Sequence, residues 1–164
     1  LIDEPQMLFA HCLTEPRGAS DRWLPYNVPE AAMHTRAEKR GGALVLFSSV
    51  AAGVGVSNHA AIAMAKGGVE ALTRSLAADF SALRLRVNAI APGLMETPAT
   101  ARFVSSELAR KAVSAQYPLG RHGDAADAAG LAAFLISQRA AWISGQIIAV
   151  DGGFLGVRPT VKVS

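Results

Sequence analysis

The sequence is poor in cysteine, in aromatic rings and in charge. One cysteine, Cys12, in 164 residues excludes an internal disulfide and a cysteine-based zinc site, and suits the cytoplasm or another reducing compartment. Cys12 stands in an apolar run and reads as a small buried hydrophobe. Charged residues make up 18% of the chain, against about 25% in ordinary globular proteins. That shortage excludes a disordered tail, a coiled coil and a charge-rich nucleic-acid arm. No apolar run approaches the ~18 residues needed to cross a bilayer; the richest stretch, 43–56, is broken by Ser48, Ser49, Gly53 and Gly55. No signal peptide is visible, and the first residue is Leu1 rather than Met, so the chain reads as processed, truncated or partial.

What is present is small and apolar. Hydrophobic residues make up 51% of the chain, with 32 alanines, 15 glycines and only ten aromatics. Side chains of this size fill a core only where helices and sheets approach closely, and the length suits one domain. The formal charge is +3. The basic residues Arg36, Lys39, Arg40, Arg84 and Arg86 form short clusters without interleaved aromatics, and read as solvated faces rather than a nucleic-acid site.

Apolar runs at 7–12, 43–47, 85–91 and 146–150 read as strands. Helices are expected from Pro29 to Arg40, over 58–80, near 99–116 and over 124–137. The strongest helical signal is Ile62, Val69, Leu72, Leu76 and Phe80, at steps of three, four and seven. Strands that are apolar throughout, alternating with helices, indicate an α/β fold with a parallel sheet buried on both faces. Gly67 and Gly68 interrupt the long helix at about 1 kcal/mol each relative to alanine. With Ala60, Ala61, Ala63 and Ala65 they make a smooth surface suited to a second helix, to packing on the sheet, or to both on opposite faces.

The segments GGALVLFSSVAAGVG, AKGGVEALTRSLAADF, RLRVNAIAPGLMETP and YPLGRHGDAADAAGLAAFLISQRAAWISGQIIAVDGG together resemble the short-chain dehydrogenase/reductase (SDR) family. The likeness is strongest over 41–153, leaving a tail at 154–164, and implies a Rossmann-like, doubly wound sheet with flanking helices. MLFAHCLTEPRG is weakly similar to that family's fourth strand, with Leu13-Thr14 where an Asn-Ala-Gly motif is expected. The family's catalytic asparagine could fall on Asn27, though its spacing to Ser49 is short.

The resemblance implies a serine that holds a substrate carbonyl, a tyrosine that moves the proton, and a lysine that binds the nicotinamide ribose and lowers the tyrosine's pKa. By motif these are Ser49, Ile62 and Lys66: the chain reads IAMAK where YxxxK is expected. An isoleucine can neither donate nor accept a proton. His59 shares the helix face of Ile62, but three residues displace a side chain by about 4.5 Å along the axis, so it is a weak substitute and more simply a residue flanking the helix start. Tyr26 and Tyr117 lack the spacing, and His11, His34 and His122 show no metal-ligand pattern.

The resemblance also implies NAD or NADP. Lys66, Asn88, Pro92, Gly93 and Thr97 match its nicotinamide end; a Pro-Gly strand terminus with Thr97 capping a helix explains the last three as well. No glycine-rich turn that would face a pyrophosphate occurs in the 164 residues, GVGVSNHA lacking the spacing. By motif order that turn and the family's first three strands would precede Leu1. The 164 residues therefore read as a single incomplete domain, expected not to bind the cofactor alone. Two functions stand: a degenerate, non-catalytic scaffold or subunit of a larger assembly, or the C-terminal part of an active NAD(P)-dependent carbonyl/alcohol oxidoreductase. A partner chain or a second copy is expected at helix 58–80 and at strand 7–12, whose apolar, proline-free edge invites pairing.

Overall fold

The computed structural model describes residues 41–158; the strand at 7–12, the helix at 29–40, Cys12, Tyr26 and Asn27 lie outside them. Within the described residues, β1 (Gly42–Phe47), β2 (Leu85–Pro92) and β5 (Ile147–Val150) form a parallel sheet in the order β1-β2-β5. Phe47 lies opposite Ile90, and Pro92 opposite Val150, so all three strands end at one carboxyl edge. A second, two-stranded parallel sheet joins β3 (Met95–Glu96) to β4 (Gly123–Asp124).

Alternation along the strands decides which helix covers which face. Leu44, Leu46, Val87 and Ala89 point to one side, where Val69, Leu76 and Ala77 of α1 (Ala60–Asp79) pack on them. Val45 and Ile90 point to the other, against Ala132 and Leu135 of α3 (Ala125–Ile136) and against Ala140. The result is three layers, with the fully buried Val87, Ile90 and Leu135 at their centre. Parallel strands require crossovers of this kind. Alanines at 89, 91, 132 and 140, all buried, let the layers approach closely.

α3 starts where the sequence supplies a full cap: Asp124 accepts from the amides of Ala126 and Asp127, while Asp127 accepts from the Asp124 amide. Such reciprocal bonding satisfies the orphan donors of a first turn. α1 has no such device. His59 occupies its N-cap position without capping it, and its Nδ1 lies 2.7 Å from the Ser57 carbonyl. Its length and its packing on β1 and β2 sustain this helix instead.

Three expectations need correction. The single helix near 99–116 is two pieces, a 3-10 turn at Ala101–Val104 and α2 (Glu107–Ser114), because Ser106 turns extended and caps a new helix through the Ala109 amide. Thr97 does not cap a helix: its amide donates to Thr100 Oγ1 at 2.9 Å and its hydroxyl lies 3.0 Å from the same oxygen. Arg86 is not on a solvated face. Its guanidinium donates to the carbonyls of Leu135 (2.6 Å) and Ser137 (3.1 Å) at the end of α3, satisfying acceptors that a helix terminus leaves orphaned; partial burial pushes its pKa down.

Candidate functional site

The carboxyl edge of a parallel sheet is where α/β proteins bind ligands, and it carries the residues singled out by motif. Ser49 leaves β1 in extended backbone and caps a 3-10 turn at Val50–Ala52 by accepting from the Ala51 amide at 3.2 Å. Ile62 lies in the first turn of α1 and is 39% exposed; Lys66, one turn later, is buried. Two contacts fasten this part of α1 to the end of β1. Lys66 Nζ donates to the Phe47 carbonyl at 2.8 Å. Ser48 Oγ donates to Glu70 Oε1 at 2.8 Å and lies 3.3 Å from the Lys66 carbonyl. Ser49 and Lys66 are thereby held on neighbouring backbone, and the residue one turn before the lysine is a hydrocarbon. Glu70 was not foreseen: a carboxylate four residues past a lysine looks like an ordinary helix-surface pair until the fold brings Ser48 to it.

The residues matched to a nicotinamide end lie on β2 and just after it. Asn88 is 1% exposed, and its amide group bridges to the backbone leading into β5: Nδ2 donates to the Ile143 carbonyl at 2.9 Å, and Oδ1 accepts from the Gln146 amide at 3.0 Å. Gly93 is needed for packing, since a Cβ there would sit 2.8 Å from Tyr117 Cε1 and 3.3 Å from Asp151 Cα. Tyr117 itself is a supporting residue. Its hydroxyl accepts from the Leu94 amide at 2.7 Å and its ring packs on Phe154 with centroids 5.3 Å apart. Burial pushes its phenol up, toward the neutral form.

The polar groups of Lys66, Asn88 and Thr97 already have protein partners. A cleft of about 150 Å³ opens at the ends of β2 and β5, lined by Gly93, Met95, Tyr117 and Asp151 among others but not by Ser49, Ile62 or Lys66. That volume is below the roughly 300–1,000 Å³ of small-molecule sites. Among the described residues no group of three or more His, Cys, Asp or Glu could hold a metal, and no helix is long and apolar enough to cross a membrane.

One polar cluster escaped sequence reasoning. Glu96, at the end of β3, receives both arms of Arg110 from α2 at 2.7 and 2.5 Å, and its Oε2 lies 3.0 Å from His122 Nε2. His122 Nδ1 lies 3.2 Å from Ser114 Oγ. Arg110 first, then His122, hold the Glu96 carboxyl down to about 2. Beside it Arg121 forks onto Asp127, both contacts at 2.7 Å, and holds that carboxyl well below the usual carboxylate range.

Comparison with known proteins places this arrangement. A family model described as enoyl-(acyl carrier protein) reductase matches residues 26–155. An "Inactive 2-(S)-hydroxypropyl-CoM dehydrogenase 2" of Xanthobacter autotrophicus is 39% identical over 132 residues, covering 78% of this chain and 57% of that one. An uncharacterised oxidoreductase of Mycobacterium tuberculosis is 44% identical over 117 residues, covering 71% of this chain and 46% of that one. Among solved structures, ElxO with NADP bound superposes with a TM-score of 0.70 at 27% identity, covering 77% of this chain and 51% of its own. The chain thus spans about half the length of the curated relatives it matches. A parallel three-layer fold, a match over most of the chain and relatives near 40% identity agree: the chain belongs to the short-chain dehydrogenase/reductase family, which includes NAD(P)-dependent oxidoreductases.

Proposed function

We propose that this chain is a non-catalytic member of its family, working as a scaffold or subunit of a larger assembly. The observation that carries the reading is Ile62 one turn before Lys66, with the Lys66 ammonium on the Phe47 carbonyl. By the family resemblance the lysine acts on the proton through an ionisable neighbour one turn earlier, and a hydrocarbon stands at that place. The similarity to a relative named as inactive supports this. So does the outward face of α1: Met64 is 78% exposed, Leu72 40%, and a Cβ built on Gly67 or Gly68 meets nothing within 4 Å among the described residues. That open face is where an assembly partner fits, a second copy or another polypeptide. The 164 residues alone do not bind NAD(H) or NADP(H), because no pyrophosphate cradle is encoded in them and the nicotinamide-end groups are engaged within the protein.

The competing reading, the C-terminal part of an active carbonyl/alcohol oxidoreductase with another proton donor, is favoured by Ser49, whose hydroxyl proton has no acceptor among the described residues. Turnover by the parent chain in an assembly that supplies a cofactor site separates the two: none is expected, and measurable turnover overturns the proposal. Calorimetric titration of the purified chain with each dinucleotide tests the binding claim alone, with no heat expected up to millimolar ligand and a micromolar Kd overturning it. Where an assembly supplies a cofactor site, Ile62→Tyr should raise turnover, by about 10²–10⁴-fold for a restored general acid.

A further inference from the structure

α1 is fastened to the sheet in two different ways along its length. From Val69 onward apolar side chains do it: Val69, Leu76 and Ala77 pack on Leu44, Leu46, Val87 and Ala89. The first half is made otherwise. It starts without a side-chain cap and carries Gly67 and Gly68, poor helix formers. Over 60–68 it buries one residue, and that residue is Lys66, 6% exposed. Two polar rungs tie this half down. Lys66 Nζ donates to the Phe47 carbonyl at 2.8 Å, and Ser48 Oγ donates to Glu70 Oε1 at 2.8 Å.

The rungs join two consecutive residues at the end of β1 to two residues four apart on the helix. Four helical residues span about 6 Å and return to the same face. One rung leaves a helix free to swing about it, whereas two at this spacing fix its rotation as well as its distance. The strand side of the second rung is rigid: Ser48 is 4% exposed, and its amide donates to the Ile90 carbonyl at 2.7 Å. Its single hydroxyl proton has the Glu70 carboxylate at 2.8 Å and the Lys66 carbonyl at 3.3 Å, and the charged acceptor is both nearer and stronger. We propose that Glu70 is the positioning residue for Lys66: through the Ser48 hydroxyl it sets the rotation of α1 and keeps the lysine seated on the end of β1. The serine engaged is Ser48, while Ser49, the one matched by motif, accepts from the Ala51 amide instead. Such a seat is set by contacts within this chain and holds with a hydrocarbon at position 62, whichever reading of the function is right.

Amine labelling of the full chain with acetic anhydride, read peptide by peptide by mass spectrometry, tests the seat. Lys66 should react at least about tenfold more slowly than Lys111, which is exposed. In Glu70→Ala the Lys66 rate should rise about tenfold while Lys111 keeps its own. Glu70→Gln keeps an acceptor oxygen for Ser48 and should restore most of the protection, which a role for the charge alone would not. Ser48→Ala should match Glu70→Ala, and the two together should add little, since both remove one bond. Amide exchange should quicken over 63–68 and keep its rate in β1, β2 and the second half of α1. Lys66 as reactive as Lys111 in the parent overturns the proposal, and so does unchanged Lys66 labelling in Glu70→Ala and Ser48→Ala. Glu70→Gln as reactive as Glu70→Ala overturns it too, as does equal acceleration of exchange in the sheet, since the contact would then support the whole fold. If Glu70→Ala fails to fold, Ser48→Ala decides alone, because it removes a single oxygen.

Discussion

The three-layer core and the stretch 98–116 are built on opposite terms. In the core, Val87, Ala89, Ile90 and Leu135 are wholly buried, and the one amide side chain among them, Asn88, is bonded at both ends. In 98–116 one residue is buried, and the organising contact is an ion pair with both partners about two-fifths exposed. Burial is short-ranged and insensitive to pH, whereas an exposed ion pair is directional, reversible and screened by salt. A stretch fastened this way can move without disturbing the layers beneath it, and the motif residues Ser49, Ile62 and Lys66 belong to the layers.

The largest effect that would sharpen this contrast lies in the core. Ile90→Ala removes the side chain between β2 and α3 and should cost about 2–5 kcal/mol, seen as a shift of the denaturant midpoint with an unchanged slope. Asn88→Ala comes next. It strands the Gln146 amide and the Ile143 carbonyl, and unpaired buried groups cost about 1–3 kcal/mol; the loss should appear as faster exchange in β5 before β1.

Acid should act on the stretch 98–116 through Glu96, and not through the apolar layers. The Glu96 carboxyl is held at about 2, below its ordinary 4.5, so the native state binds its proton more weakly than the unfolded chain does. Its contribution is then complete above about pH 4.5 and is lost as pH falls through 2. Exchange of 101–114, corrected for the intrinsic rate, should accelerate over that window in the parent and show no such step in Glu96→Gln. A step that survives the substitution would assign the acid response to another carboxylate. The smallest effect is expected from Leu108→Ser, on the exposed side of α2, within about 0.5 kcal/mol by thermal melting. A larger loss would mean that α2 is packed against something, and the contrast between the two regions would fail.

The core was legible in the sequence for a physical reason. Strands of a parallel sheet read as largely apolar runs, and GALVLF, LRVNAIAP and IIAV come out within a residue or so of where the runs predict them, although β5 has no fully buried residue among the described ones. The repeat of Val69 and Leu76 similarly places α1 over Ala60–Asp79, whereas Ile62 and Leu72 of the same repeat come out about two-fifths exposed. The stretch 99–116 was not legible in the same way, since a Ser-Ser pair does not announce that its first serine will end a turn and its second start a helix. Arg86 misled because a basic residue near others reads as surface, and only the fold shows that the end of α3 lies within its reach.

For the candidate site, the amino-acid sequence alone determined the chemistry that position 62 cannot perform, because no environment gives an isoleucine a proton to transfer. It also determined that the strands would be parallel and the helices would cover both faces. Tertiary structure decided which partners the polar groups take. Lys66 meets a carbonyl 19 positions away, Glu96 meets an arginine 14 positions on and a histidine 26 positions on, and Asn88 bridges to backbone 55 and 58 positions later. Periodicity carries no information about such pairs: it records which side of an element faces the core, while a hydrogen bond depends on where two distant stretches of backbone are brought together.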